Sequence, residues 1–248
     1  MFVKLIPALL IACFFTVFGA LTATAQLSSF ALKAPWLQSF FAKMSPDTPE
    51  FTAIGQMDMC DASGAVRFEL PMNVSASRNC FRWDADVSKV RPLPPRVIMM
   101  AKMMRTDKQI FLVKKDGSNV CIIYPNLHAY VQIPIPPPAL AEFDARSAAT
   151  QIRKIEAGQE TVDGHPCIKN KVFDVDPNIP PQPGLMWNAS DLRGFPIKIE
   201  LETDRGLMKF HFQKVVVQPS NSSLFNIPRD YMLFTNSGAL MNYAKNQL

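Results

Sequence analysis

Cysteines are the first residues whose type and spacing suggest chemistry. An even number of widely spaced cysteines indicates one or two disulfides when a chain is exported to an oxidising compartment. A hairpin over residues 51–59 and 66–74 would hold Cys60 and Cys80 about 30 Å apart, whereas a disulfide requires Cα atoms within about 7 Å. A Cys60–Cys80 disulfide is therefore disfavoured, and the other disulfide pairings stay open. The chain has five cysteines, and the candidates are the four that follow the N-terminal apolar segment with Cys13: Cys60, Cys80, Cys121 and Cys167.

Histidines and acidic residues form no pattern typical of a metal centre or an acid–base pair. His128, His165 and His211 are isolated and no CxxC pair accompanies them, so no metal site is predicted. The Asp-x-Asp pairs that begin at Asp84 and Asp174 lie at predicted strand ends and are interpreted as solvated turn residues. The chain also lacks a GxSxG elbow, an HExxH motif, a phosphate-binding loop and a dinucleotide fingerprint. We therefore predict a protein that is not an enzyme and needs no cofactor.

Methionines suggest a different chemistry. Met57 and Met59 are two residues apart, and four of the 13 methionines lie between residues 99 and 104. Thioether sulfur selects soft ions such as Cu(I), so a Met-rich copper-binding module is one hypothesis. Methionine also adapts to irregular apolar surfaces, which suits both an ordinary core and a lid over an apolar ligand.

The N-terminal segment predicts the compartment. Lys4 precedes an uncharged apolar run over residues 5–21, and Ala23-Thr24-Ala25 matches a small-x-small cleavage site. The run is shorter than the about 20 apolar residues that span a bilayer, which favours a signal peptide over residues 1–25. The protein is therefore expected in a periplasm or outside the cell. Lipid anchoring through Cys13 is the alternative.

Charges are nearly balanced along the chain. Lys and Arg number 26 against 21 Asp and Glu, and the two signs are interspersed without a block of like charges. A clustered cationic footprint is missing, so no nucleic-acid partner is predicted. A transient contact with an anionic membrane surface is compatible with the small cationic excess, and a solvated surface is the simpler interpretation.

Alternating apolar and polar residues predict a mainly β fold. Val66, Phe68, Leu70, Met72 and Val74 alternate with polar residues, and segments 195–202 and 207–213 show the same period of two. Pro71 indicates that its strand is an edge or is bulged there, and a change of parity after Lys214 indicates a bulge or burial of both faces. Further strands are predicted at 51–59, 81–84, 110–113, 120–124, 129–133, 152–162, 167–175 and 185–189.

Three short helices are predicted beside these strands, over residues 35–44, 94–105 and 139–149. The second starts at Pro94-Pro95 and is rich in methionine. A sheet with one apolar face must be covered, and these helices are its predicted cover. The domain is expected to span residues 26–236, and residues 237–248 are interpreted as a C-terminal tail.

Three motifs together resemble the LolA-like superfamily, which includes the periplasmic lipoprotein carriers. They are GQETVDGHPC at 158–167, MWNASDL at 186–192 followed by FPIK at 195–198, and LFNIP at 224–228 with Tyr231. The resemblance implies a strongly curved antiparallel sheet, an unclosed half-barrel, covered by two or three short helices that enclose an acyl chain or another apolar group. Carriers of this superfamily latch the lid with an arginine in an early strand. Residues 51–58 contain none, and Arg67 or Arg82 would have to substitute.

The predicted function is that of an exported, non-enzymatic carrier or sensor for an apolar ligand, with a lipid or an acylated protein as partner. A structural or interaction domain of the cell envelope without a ligand cavity is the alternative, and the copper-binding module is the third hypothesis. The candidate lining residues of the cavity are Phe68, Leu70, Val97, Met100, Met104, Ile197, Ile199, Leu201, Met208, Phe210 and Phe212.

Overall fold

One twelve-stranded sheet contains most of the regular structure in the described part of the chain. The structure is a computed structural model that describes residues 43, 47–78, 80–114, 119–141, 145, 151–175, 182–203 and 206–248. In chain order the strands are β1 (Phe51–Cys60), β2 (Val66–Ser77), β3 (Cys80–Asp86), β4 (Lys108–Lys114), β5 (Asn119–Tyr124), β6 (Ala129–Pro134), β7 (Gln151–Val162), β8 (His165–Val175), β9 (Gln182–Ala189), β10 (Phe195–Thr203), β11 (Gly206–Val216) and β12 (Met232–Phe234).

The strands follow the order β12-β6-β5-β4-β3-β2-β1-β11-β10-β9-β8-β7. All neighbours pair antiparallel except β12, which runs parallel to β6. β1 pairs with β2 on one side and with β11 on the other, so it joins the first half of the chain to the second. β7 and β12 lie at opposite edges and do not pair with each other. The predicted fold class, an unclosed half-barrel, is confirmed.

The apolar faces predicted from alternation form the main hydrophobic core. In β2, Phe68 and Leu70 are buried, whereas Arg67 before them and Asn73 after them are exposed. The same alternation buries Met208, Phe210 and Phe212 of β11. We call the side of the sheet that carries these buried residues the inner face, and the opposite side the outer face.

The two predicted irregularities have different outcomes. Lys214 adopts a φ of 48°, and the register between β1 and β11 shifts beside it, so the bulge is confirmed. The expectation of an edge or a bulge at Pro71 is wrong, because β2 is an internal strand whose register with β1 is continuous there. Pairing with β3 begins only at Met72, so Pro71 lies just beyond the end of that ladder and its missing N–H is tolerated.

Helix α1 (Pro95–Met103) confirms the predicted Met-rich helix. The helix predicted at 139–149 begins two residues earlier: residues 137–141 and residue 145 are helical, and residues 142–144 and 146–149 lie outside the described part. The helix predicted at 35–44 also lies outside it, apart from helical Lys43, as do residues 1–25. Among the described residues no helix has the length and hydropathy needed to cross a bilayer.

The C-terminal segment, interpreted above as a tail, contains helix α2 (Ser237–Lys245). Asn236 caps it, because its side-chain oxygen accepts a hydrogen bond of 2.8 Å from the Ala239 amide. Leu240, Met241 and Ala244 are buried in the main core. This helix therefore covers part of the inner face.

A smaller apolar cluster lies on the outer face of the first half of the sheet. Leu112, Cys121, Ile123 and Phe225 form it. Phe225 comes from the segment between β11 and β12, and Arg82 holds that segment in place. The guanidinium donates to both carboxylate oxygens of Asp84, at 2.6 and 2.8 Å, and to the Leu224 carbonyl at 2.6 Å.

The four candidate cysteines form no disulfide in the structure. Cys60 faces Val66 at one end of β2 and Cys80 faces Ser77 at the other, so about 35 Å separates them, as the hairpin argument predicted. Cys80 and Cys121 lie on β3 and β5 with β4 between them. Two strand spacings amount to about 9.5 Å, which is too far for a disulfide without backbone movement. The predicted disulfides are therefore not found.

Buried thiols should react slowly. Burial raises the pKa of the Cys60, Cys121 and Cys167 thiols, which lowers the reactive thiolate fraction. We expect their alkylation at pH 8, followed by peptide mass mapping, to be at least about tenfold slower in the native protein than after denaturation. A Ser63→Cys variant provides an exposed thiol as control, which should react equally fast in both states. A disulfide-linked peptide pair would contradict this expectation.

Arg82 should contribute more to stability than a comparable surface arginine. Arg82 is 18% exposed, whereas Arg67, paired with Asp61, is 61% exposed. Arg82→Ala should lower the free energy of unfolding by about 2 kcal/mol, because it leaves Asp84 and the Leu224 carbonyl without their donor. Arg67→Ala should cost less than about 1 kcal/mol. Urea unfolding of both variants measures the difference, and equal costs would show that Arg82 does not hold the β11–β12 segment.

Candidate ligand-binding site

Cross-strand register arranges the predicted lining residues in continuous rows. Ile199 faces Phe210, Phe210 faces Met57, and Met57 faces Leu70, so one row crosses β10, β11, β1 and β2. Met186 of β9 extends it by one strand. A second, parallel row consists of Leu201, Met208, Met59 and Phe68. The structure thus unites residues about 130 positions apart in one apolar surface on the inner face.

This surface is covered in the structure. Ile197, Ile199 and Phe210 are almost completely buried, and the other predicted strand residues are buried as well, except Leu201, which is half-buried at the margin of the core. Other side chains of the protein therefore already occupy the space above the centre of the rows. A ligand would have to displace a covering element or enter at the margin around Leu201.

Four phenylalanine rings contact one another on the inner face. Phe195 makes edge-to-face contacts with Phe51 at 4.8 Å and with Phe212 at 5.7 Å between ring centroids. Phe210 stacks parallel to Phe212 at 6.4 Å. The Phe212 ring fits because Gly55, its cross-strand partner on β1, has no side chain. A Cβ at position 55 would lie 2.7 Å from a Phe212 ring carbon.

The predicted lid residues differ in how they contact the main core. Met104, directly after α1, packs against the main core. Val97 and Met100 are half-buried and do not belong to that core, and no residue of α1 is fully buried. α1 therefore lies mainly against the 3-10 turn at Val87–Lys89 and is only loosely attached to the core. The role of all eleven predicted residues in binding a ligand stays a prediction.

The sequence did not reveal the best-buried cover, α2. Leu240, Met241 and Ala244 follow the i, i+1, i+4 spacing of an amphipathic helix, and Asn236 is a favourable N-cap. These signals are present within only nine residues at the end of the chain. α2 is thus a fourth cover beside those predicted at 35–44, 94–105 and 139–149, and it lies in the segment predicted to be a tail.

Neither arginine proposed as a substitute latch reaches the inner face. Arg67 donates to Asp61 in the β1–β2 turn, at 2.6 Å from Nε, and Arg82 binds on the outer face. Asp61 accepts further hydrogen bonds from the Ser63 hydroxyl and amide and from the Ala65 amide. The Ser63 hydroxyl is the main cause that lowers the pKa of Asp61 to about 2. Arg67 is thus part of a turn rather than of a lid.

Residues of the motifs that carry the family resemblance meet at the β7–β8 turn. His165 lies 2.8 Å from the Asp191 carboxylate, and His211 lies 2.5 Å from the carboxylate of Asp163. Asp163 and Gly164 have φ values of 50° and 85°, which a tight two-residue hairpin turn requires. The motifs therefore secure the end of one hairpin against β11 and against the segment after β9.

Trp187 is the centre of a neighbouring group of polar contacts. Its indole N–H donates to the Glu160 carboxylate. The ammonium groups of Lys198 and Lys169 lie 4.2 and 4.9 Å from its ring centroid. The contacts join β7, β8, β9 and β10, so they stabilise the edge of the sheet that ends in β7.

The residues considered for metal or acid–base chemistry have structural partners. Asp84 and Asp86 are not solvated turn residues as interpreted, because Asp84 binds Arg82 and Asp86 binds Lys108 and the Ser88 hydroxyl. Burial alone would raise the pKa of Asp86, but the hydrogen bonds from Lys108 and Ser88 outweigh it and hold the pKa below its usual value. Within the described ranges no three His, Cys, Asp or Glu side chains are placed to hold a metal ion. Asp176 lies outside those ranges.

Comparison with known proteins yields similarities of fold. No family model matches the chain, and no curated protein matches it. An uncharacterized conserved protein from Thermus thermophilus has a similar structure at 10% identity, with a TM-score of 0.45, over 82% of this chain and 99% of that chain. The lipoprotein LppX from Mycobacterium tuberculosis has 14% identity and a TM-score of 0.41, over 77% of this chain and 97% of that chain.

A LolA superfamily protein from Nitrosomonas europaea is also among the similar structures. It shares 11% identity at a TM-score of 0.34, over 76% of this chain and 96% of that chain. At these values the similarity concerns the fold alone. The function has to be argued from the residues of this chain.

Gly55 provides a test of how tightly the inner face is packed. In a strand without a steric clash, Gly→Ala stabilises a protein by about 0.4–1 kcal/mol. At Gly55 the added methyl group meets the Phe212 ring, so we expect Gly55→Ala to lower the free energy of unfolding by about 1–3 kcal/mol. The same substitution should cost less in a Phe212→Leu background. Equal costs in the two backgrounds, measured by denaturant unfolding, would contradict the proposed contact.

Proposed function

We propose that the chain is an exported, non-enzymatic binding protein or carrier for an apolar ligand: a lipid, an acyl chain or the acyl anchor of a lipoprotein. The observation that supports the proposal is the continuous apolar surface that β9, β10, β11, β1 and β2 share on the inner face. Such a surface exceeds what a nine-residue helix can cover by itself, because an α-helix of that length is only about 13 Å long.

Partition from water provides the driving force. Each CH₂ group of an acyl chain that leaves water contributes about 0.8 kcal/mol, so a chain of a dozen carbons gains roughly 10 kcal/mol before the costs of association. This binding requires only an apolar surface of sufficient length, and no charged or catalytic group. It is therefore compatible with the rows of Ile, Leu, Met and Phe on the inner face.

A ligand gains access when a cover moves. Lifting α2 exposes Leu240, Met241 and Ala244, which costs roughly 4–6 kcal/mol at about 1.5–3 kcal/mol for each large apolar side chain. The gain from a dozen acyl carbons is larger than this cost. α2 packs mainly on β6 and β12, so lifting it opens the end of the inner face beside those strands to an acyl chain, and α2 closes that end again after release.

A structural or interaction domain of the envelope is the second candidate. The observation that favours it is the nearly complete burial of Met186, Phe195 and Ile199 by the protein's own side chains. In that case the covers are permanent and the inner face is an ordinary core. The two candidates differ in whether an added acyl chain enters the protein.

Native mass spectrometry of protein purified without detergent separates the candidates. A co-purified lipid, together with saturable binding of a fluorescent fatty acid, supports the carrier. A bare polypeptide that binds no fatty acid supports the structural domain, and one equivalent of copper would support the Met-rich metal-binding hypothesis.

Leu201→Trp should weaken binding of the fluorescent fatty acid by about tenfold or more, because the larger side chain narrows the margin through which the inner face is reached. Ile54→Trp is the matched control, since Ile54 is an exposed strand residue outside the main core. It should leave binding within about twofold. Leu201→Asn, which removes apolar contact without adding bulk, keeps the test valid if the tryptophan variant fails to fold. Unchanged binding in folded Leu201 variants would exclude this route of entry.

A further inference from the structure

The cationic excess of the protein is located in one segment. Residues 89–105 contain five cations and no carboxylate, so taking these five from the 26 Lys and Arg of the chain leaves 21, the number of Asp and Glu. All five side chains are exposed. None forms an ion pair with another described residue. They are Lys89, Arg91, Arg96, Lys102 and Arg105.

The outward side of α1 combines these cations with apolar side chains. Arg96, Met99, Lys102 and Met103 are spaced at three or four residues and are all exposed, whereas Val97, Met100 and Ala101 on the other side are half-buried. Met99 and Met103 are 55% and 53% exposed, which places them among the most exposed large apolar side chains of the described chain. A stripe of alternating cations and thioethers therefore faces solvent.

We propose that this face of α1 binds the surface of an anionic lipid bilayer. A helix lying in the plane of the interface places its apolar side chains at the boundary of the acyl chains and its Lys and Arg among the headgroup phosphates. Met99 and Met103 would lie at the boundary of the acyl chains, and Arg96 and Lys102 would lie among the headgroup phosphates. Lys89, Arg91 and Arg105 add positive charge at the two ends of the helix.

A bilayer fits this stripe better than an acidic protein does. An acidic protein surface would neutralise the cations, but it would also have to provide a specific packing site for two flexible methionine side chains. Fluid acyl chains accommodate methionine without a preformed pocket. The stripe is also on the side of α1 that faces away from the core, so this inference does not depend on whether the inner face binds a ligand.

Vesicle flotation tests the proposal. The probes are vesicles of phosphatidylcholine alone and of phosphatidylcholine with phosphatidylglycerol at 7:3. We expect binding to the anionic vesicles only, weakening as salt rises. Each Lys or Arg near such a surface contributes about fivefold in affinity, so Arg96→Gln/Lys102→Gln should reduce binding roughly tenfold or more.

The matched control is Lys171→Gln/Arg229→Gln, which removes two exposed cations elsewhere and gives the same net charge. It should reduce binding by less than about threefold. Any contribution of the apolar N-terminal segment is identical in both variants. Equal loss in the two double variants would mean that net charge alone attracts the protein, and would overturn the proposal.

The methionines provide a second test. Met99→Gln/Met103→Gln should reduce vesicle binding several-fold at unchanged charge, whereas Met232→Gln/Leu233→Gln, at exposed apolar residues of β12, should not. Binding to soluble poly-glutamate with the same dependence on Arg96 and Lys102, but no binding to anionic vesicles, would indicate an acidic protein partner and overturn the proposal. Fatty-acid binding measured on the same variants should stay unchanged, which separates this surface from the function of the inner face.

Discussion

The central position of β1 determines the rest of the structure. This strand comes first among the described strands, yet it lies between β2 and β11, so its register with both neighbours aligns the two halves of the sheet. Met57 has to face Leu70 on one side and Phe210 on the other for the apolar rows to be continuous. A slip by one residue would turn every apolar side chain of β1 to the outer face. The packing of the Phe212 ring over Gly55 opposes such a slip, because no other β1 residue leaves that space.

Much of the sheet could be predicted from the sequence because its strands have one face exposed to solvent. In β10 and β11, Ile199 and Phe210 alternate with Lys198 and Lys209, and this period of two is a local signal that needs no knowledge of distant contacts. The eight predicted lining residues on strands all lie in the main core or pack against it for the same reason. Whether that core can bind a ligand depends on how the covering helices pack against the sheet. Alternation along a strand contains no information about this packing.

The features that sequence analysis missed are those that depend on distant partners. His165 and His211 are isolated in the sequence, and only the folded chain gives each of them an aspartate, 26 and 48 residues away. The cysteines show the converse, since their even number suggested bonds that the strand order prevents. The cations of residues 89–105 were not predicted to form a patch, because successive cations are two to six residues apart and do not make a contiguous block of like charge.

The path of the chain after β11 has a consequence for biosynthesis. From the middle of the sheet the polypeptide crosses the outer face, passes Arg82, and adds β12 beside β6, about 100 residues away in the sequence. β12 pairs with β6 and α2 packs beside them, so both can settle only on a first half that has already formed, and both follow the other eleven described strands in the order of synthesis. The part of the inner face beside β6 is thus open until α2 has been synthesised, and its apolar side chains stay accessible to other hydrophobic molecules for that interval.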